Sequence, residues 1–190
     1  MAAFVYLCAM QEDQQQIHSF VYSEEMLAFV RAANETATFL EEIKEKKTGA
    51  FIAEAVKHLS EVYSAMLQVG ETEPVFETGN EPTVSEQDWA GVFQRIAELL
   101  GPHNEFLRPA EEGEFDDSDL VRHTISEDLS DVYQELRDFT GQYSRGLEEI
   151  MNDAAWEVKV RFTEHWGKKL LRSLSSLHDL YVAGVDPIEE

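Results

Sequence analysis

Apolar residues recur at intervals of three and four along most of the chain, the signature of helices that bury one face. The first such run predicts a helix over about Ser23 to Glu42. Ser23 is placed to cap it, Glu24 and Glu25 suit its first turn, and Leu27, Val30, Ala33 or Asn34, Ala37 and Leu40 form the inner stripe. Ile17 to Val21 can extend it backwards. Lys46-Lys47-Thr48-Gly49 breaks the pattern, and Thr48 is placed to cap a second helix ending near Val69. Phe51, Ile52, Ala55, Val56, Leu59, Val62, Tyr63 and Met66 line its face, and the short break predicts an antiparallel hairpin of helices.

Gly70 to Val84 reads as a linker, with Val75 and Phe76 as apolar pins to the body. Ser85 to Asp88 carries an N-cap signature for a third helix, whose face is Trp89, Val92, Phe93, Ile96, Leu99 and Leu100 and whose end is Gly101-Pro102. Residues 103–125 read as an irregular acidic loop, and no strand pair is expected. Ser126 caps a fourth helix to about Tyr143, and a fifth, long helix runs from about Glu148 to Val182. The pattern predicts an all-α fold, an up-and-down bundle of about five helices with the long C-terminal helix at its centre. Residues 1–19 form a tail or flap, strand-like or helical. Residues 20–182 form one helical domain with irregular acidic stretches at 70–84 and 103–125, and 183–190 form a C-terminal tail.

Charge sharpens this picture. The chain has 190 residues, 43% of them apolar, enough for a continuous core. Its net charge is -23, and the acidity is uneven: residues 71–126 carry fourteen acids against three bases. Such a surface repels nucleic-acid phosphates and anionic membranes and suits a basic protein partner. Cys8 is the single cysteine, which excludes an internal disulfide and a cysteine-rich zinc site, and fits a reducing cytoplasm. The apolar start from Met1 to Met10 has no basic residue before it and is about half the length needed to span a bilayer. Met1 and Met10 both remain possible starts.

The last predicted helix holds the most distinctive residues. Around a helix wheel, Glu157, Arg161, Glu164, Lys168, Arg172, Ser175 and Asp179 form a polar stripe, with i,i+4 pairs at Glu157–Arg161 and Glu164–Lys168. Trp156, Val160, Phe162, Trp166, Gly167, Leu170, Leu171, Leu174 and Leu177 fill a broad apolar arc opposite. Gly167, inside the arc, predicts close approach of a neighbouring helix. Lys159 and His178 violate the arc from within, and His165 lies at its margin.

The run Trp156 to Gly167, with its His165-Trp166-Gly167, together with Ile125-Ser-Glu-Asp-Leu129 and Asp131-Val-Tyr133, resembles a bacterial family known as domain of unknown function 5063. The resemblance is strongest over residues 85–182. It implies a helical fold and no assigned activity.

An inward lysine must be paired or neutral. If the last two helices run antiparallel about Gly146, Lys159 falls level with Tyr133. This predicts a polar cluster of Lys159 with Glu135 or Asp128, and His165 close to Glu127 or Asp128. Such a cluster is either a register-fixing salt bridge or an acid–base site. No Glu stands three positions before any histidine, which removes the di-iron carboxylate pattern. His103 and His123 flank the acidic loop, which lacks the spacing of a calcium hand. Phosphate-loop, nucleophile-elbow and zinc-protease motifs are absent, so no cofactor and no metal are expected. The expectation is a cytoplasmic, non-catalytic interaction protein with a basic partner, or a homodimer through an apolar patch on the first two helices. The alternatives are a small-ligand binder or enzyme built on Lys159, His165, Asp128 and Glu135, and an acidic mimic of nucleic acid.

Overall fold

The structure, a computed structural model, describes residues 2–43, 47–76, 79, 81–109 and 120–185, with backbone alone for 2–10, 12, 108 and 109. It is built from helices: α1 (Ala2–Val21), α2 (Glu24–Glu41), α3 (Thr48–Gln68), α4 (Glu86–Leu100), α5 (Ile125–Tyr143), α6 (Glu148–Arg161) and α7 (Gly167–Ala183). A π-helical turn, Phe162–Trp166, joins α6 to α7, so the last helix is continuous over 36 residues. α2 packs on α3 and α5, α7 packs between α3 and α5, and α6 lies against α5 and α1. The helical bundle with a long C-terminal helix is as the hydrophobic pattern predicts.

Caps show where local chemistry is decisive. Ser23 accepts the Met26 N–H at 3.2 Å, and Ser85 and Asp88 form a full capping box. Two expected caps are displaced. The fourth predicted helix is capped by Thr124, because Ser126 is fully buried and bonded to Asn104. Thr48 lies inside α3, where its hydroxyl donates to the Leu99 carbonyl at 3.0 Å and ties α3 to α4. The inner stripe of α2 is also turned: Met26, Phe29 and Phe39 are buried with Ala33, Ala37 and Leu40, while Leu27 and Asn34 face solvent. Ile17 to Val21 belongs to a separate helix, α1, which the Tyr22-Ser23 corner divides from α2. Tyr143 donates to the Val21 carbonyl and pins that corner to α5.

Part of the expected acidic loop is a β-hairpin. β1 (Glu105–Pro109) pairs antiparallel with β2 (Leu120–Thr124), with Leu107 opposite Arg122. The alternation that marks it is only five residues long in each strand. Phe106 and His123 stack on the inner face, and Glu105 pairs with Arg122 on the outer one. The run of acids Glu111 to Asp119 lies outside the described residues.

A polar network joins α2 to α5. Arg137 bonds Glu41 at 2.5 and 3.0 Å and Asn34 at 3.0 Å, while the Tyr133 hydroxyl donates to Glu41 at 2.9 Å. Burial, with the Glu41 carboxylate alongside, pushes the Tyr133 phenol up to about 12.

Candidate functional site

The four residues singled out by sequence do not converge. Lys159, its side chain 22% exposed, reaches the C-terminal end of α3. Its ammonium donates to the carbonyls of Val69 and Gly70 and lies 3.0 Å from Glu71. A cation at a helix C-terminus meets the negative end of the backbone dipole and unpaired carbonyls. His165 is 67% exposed, with Glu164 at 3.9 Å. Asp128, only 2% exposed, forms a two-point pair with Arg172 at 2.8 and 3.1 Å. Glu135 meets Arg161 at 3.3 Å. The expected Lys159–Glu135 or Lys159–Asp128 pair and the expected approach of His165 to Glu127 or Asp128 are therefore replaced. Carboxylates of α5 do pair with the last helix, but through Arg161, Lys169 and Arg172 against Glu135, Asp131 and Asp128. Lys159 and Arg161 are two residues apart, about 200° around the helix, so they face opposite neighbours. His178 is exposed as well.

The His-Trp-Gly run has a structural account. In the π turn the Gly167 N–H reaches back to the Phe162 carbonyl, one residue farther than in an α-helix. Trp166, 1% exposed, turns its indole N–H onto the Val158 carbonyl at 2.9 Å. A Cβ on Gly167 would stand 2.5 Å from the Phe162 carbonyl oxygen. The close approach foreseen at Gly167 is therefore to its own turn and not to a neighbouring helix.

The linker is a strap held at its backbone. Lys159 takes its first carbonyls. Asn152 donates to Glu73 O at 2.7 Å and accepts from the Thr72 hydroxyl at 2.5 Å. Asp153 accepts the Val75 and Phe76 N–H groups at 2.6 and 2.8 Å. Gln142 donates to Glu81 O, and Asp138 accepts from the N–H groups of Thr83 and Val84 at 2.6 and 2.8 Å. Gly141 lets Thr83 rest on α5, since a Cβ there would meet the threonine hydroxyl at 2.8 Å. Val75 and Phe76 do not act as pins: both side chains are exposed, and their backbone is what is held. Asn152 and Asp153 escaped the sequence reading. Their signal was a pair of polar residues between Met151 and Ala154 on a helix otherwise apolar there.

Between the strap, α5 and α6 lies a cleft lined by Glu81, Glu135, Gln142, Glu157 and Arg161. Its water-accessible space is about 30 Å³, room for about one or two waters. Burial pushes the Glu135 carboxyl above the ordinary glutamate range, against the pull of Arg161. Burial acts to lower Arg161, but Glu135 and Glu157 more than offset it, so the guanidinium stays charged. A raised carboxyl pKa means the folded chain holds that proton more tightly than the unfolded one. Its contribution to stability is complete below the unfolded glutamate pKa and is lost as pH rises through the folded one. Relative to wild type, Glu135→Gln is therefore expected to gain stability between about pH 4 and about pH 7. Urea midpoints at the two pH values measure it, and a constant difference contradicts it.

The model of a domain of unknown function (DUF5063) matches residues 20–183. The chain belongs to the DUF5063 family. It is also similar to a solved structure, protein BF1032 from Bacteroides fragilis, a structural genomics target. The two are 27% identical with a TM-score of 0.76, over 85% of this chain and 94% of that one. No curated protein matches the chain significantly.

The DUF5063 match covers the strap, its clamps and the π turn, and leaves out most of α1. Among the described residues, no three or more His, Cys, Asp or Glu side chains are grouped so as to hold a metal ion, and no helix is long and apolar enough to cross a membrane. His103 lies in a 3₁₀ turn and His123 in β2. The strap clamps can be tested singly. Asp153→Ala is expected to cost about 2 kcal/mol, because two charge-assisted bonds are lost while the freed N–H groups sit near the surface and reach water. Chemical denaturation measures this, and a loss below about 0.5 kcal/mol, the scale of an ordinary surface substitution, counts against the clamp.

Proposed function

We propose that this DUF5063 chain is a bacterial, cytoplasmic, non-catalytic interaction domain whose acidic surface meets a basic protein partner. The observation that carries this reading is the commitment of the inward polar groups. Lys159, Asn152, Asp153, Asp138 and Gln142 hold the strap, and Asp128 and Glu135 pair with arginines of the last helix. The cleft beside Glu135 and Arg161 has room only for water, and the larger one at Lys159, about 110 Å³, is lined by none of His165, Asp128 and Glu135. A ligand site built on Lys159, His165, Asp128 and Glu135 needs them around one cavity, and they stand apart.

The net charge of -23 supplies the attraction. It repels nucleic-acid phosphates and anionic lipid alike, and it opposes a homodimer through exposed Leu27 and Leu67 of α2 and α3. The test is capture by the immobilised full chain from a lysate of its native host. Captured proteins are expected to be basic and to be released between about 0.05 and about 0.5 M salt, as screening shortens the reach of surface charge. Retention of nothing basic at low salt contradicts the reading.

A further inference from the structure

We infer that the outer face of the strap at Glu71 to Phe76 docks a basic and partly apolar segment of a protein partner. The inference rests on the reading above and gives it an address.

Val75 and Phe76 are 43% and 51% exposed, yet their consecutive N–H groups are fixed on one carboxylate, Asp153, which is 3% exposed. Asn152, fully buried, fixes the preceding turn, and Lys159 fixes the start. Placing a carboxylate and an amide inside a helix interface carries a desolvation cost, which only good hydrogen bonds offset. Here those bonds go to a loop that buries little of its own apolar surface. What they achieve is presentation: an aliphatic and an aromatic side chain held outward on a fixed backbone, so that less ordering is needed when a partner arrives.

The surroundings define the partner. Between Gly70 and Val84 the sequence carries Glu73, Glu77 and Glu81 besides Glu71, which Lys159 already meets, and no Lys or Arg. An apolar pair among acids complements a segment in which apolar residues are flanked by lysine or arginine. The exposed Leu107 and Leu120 of the hairpin lie beside Arg122 and lack this single-sign setting. Two straps do not satisfy each other, since neither carries a base.

The test is a titration of the isotope-labelled full chain with a synthetic ten-residue peptide of alternating lysine and leucine, followed by amide chemical shifts. Shifts are expected to concentrate on residues 71–76. Val75→Ser with Phe76→Ser should weaken binding about tenfold or more, as for an anchor residue, while Leu107→Ser should leave it unchanged. Both positions are exposed, so the fold tolerates the change. Binding that maps elsewhere, or that the double variant leaves intact, overturns the strap as the dock but not the acidic interaction reading. No binding at low salt overturns both.

Discussion

Gly167→Ala is expected to lower stability by about 3 kcal/mol, far more than a single methyl group ordinarily does. The added Cβ would meet the Phe162 carbonyl oxygen at 2.5 Å and the Phe162 ring at 3.0 Å. That carbonyl cannot swing away, because it accepts the Gly167 N–H that closes the π turn. Opening the turn would also pull Trp166 from the Val158 carbonyl, inside the core. For a chain of this length the loss is a fall in Tm of about 6–12 °C. Gly91→Ala is the control of opposite sign. Its Cβ would meet only the flexible end of Arg95, at 3.2 Å, in the middle of α4. Alanine there is expected to stabilise by about 0.5 kcal/mol through the unfolded chain's entropy and helix propensity. Thermal melts of the two variants check both signs, and equal effects contradict the account of the π turn.

Arg172→Met is expected to cost about 3 kcal/mol, the lower end for breaking a buried ion pair. At 2% exposure Asp128 meets the guanidinium through both of its oxygens, at 2.8 and 3.1 Å, so removing Arg172 strips a buried carboxylate of its two-point partner. Its place in the first turn of α5 gives it some remaining help from the helix dipole, which is why the lower end applies. Asp128→Asn in the Arg172→Met background should recover more than half of the loss, since the amide needs no counter-charge. Denaturant midpoints of the single and double variants measure it. A double variant less stable than Arg172→Met alone would mean that the carboxylate has another partner strong enough to hold it.

The legible part of this fold was what local chemistry decides. Ser23, Ser85 and Asp88 cap where capping rules place them, and the face of α3 from Phe51 to Met66 is buried as its spacing requires. The hairpin of β1 and β2 was not legible, because five alternating residues on each side of an acidic run give too short a pattern. The site was legible in kind and not in detail. The residues expected opposite Glu135 and Asp128 were Lys159 and His165, and those carboxylates meet Arg161 and Arg172 instead. The wheel that chose Lys159 assumed 100° for every residue, and the π turn inserts a residue inside it, so no single phase serves α6 and α7. The wheel also took its apolar side to face α5. Glu157 and Arg161 face α5 in part, which leaves Lys159 on the side of α3. Nothing in one sequence says that the cation's partners are main-chain carbonyls 90 and 89 residues away, because a carbonyl leaves no residue-type signal.

The central claim is that Lys159 is a clamp on the strap and the end of α3 rather than part of a chemical site. Amide hydrogen exchange on Lys159→Met tests it most directly. Removing the ammonium leaves the Val69 and Gly70 carbonyls without their donor, and the cost is expected to be about 1–2 kcal/mol. The account predicts faster exchange confined to the end of α3 and residues 69–76, with the amides of α5 unchanged. Exchange over residues 69–76 identical to wild type would contradict it.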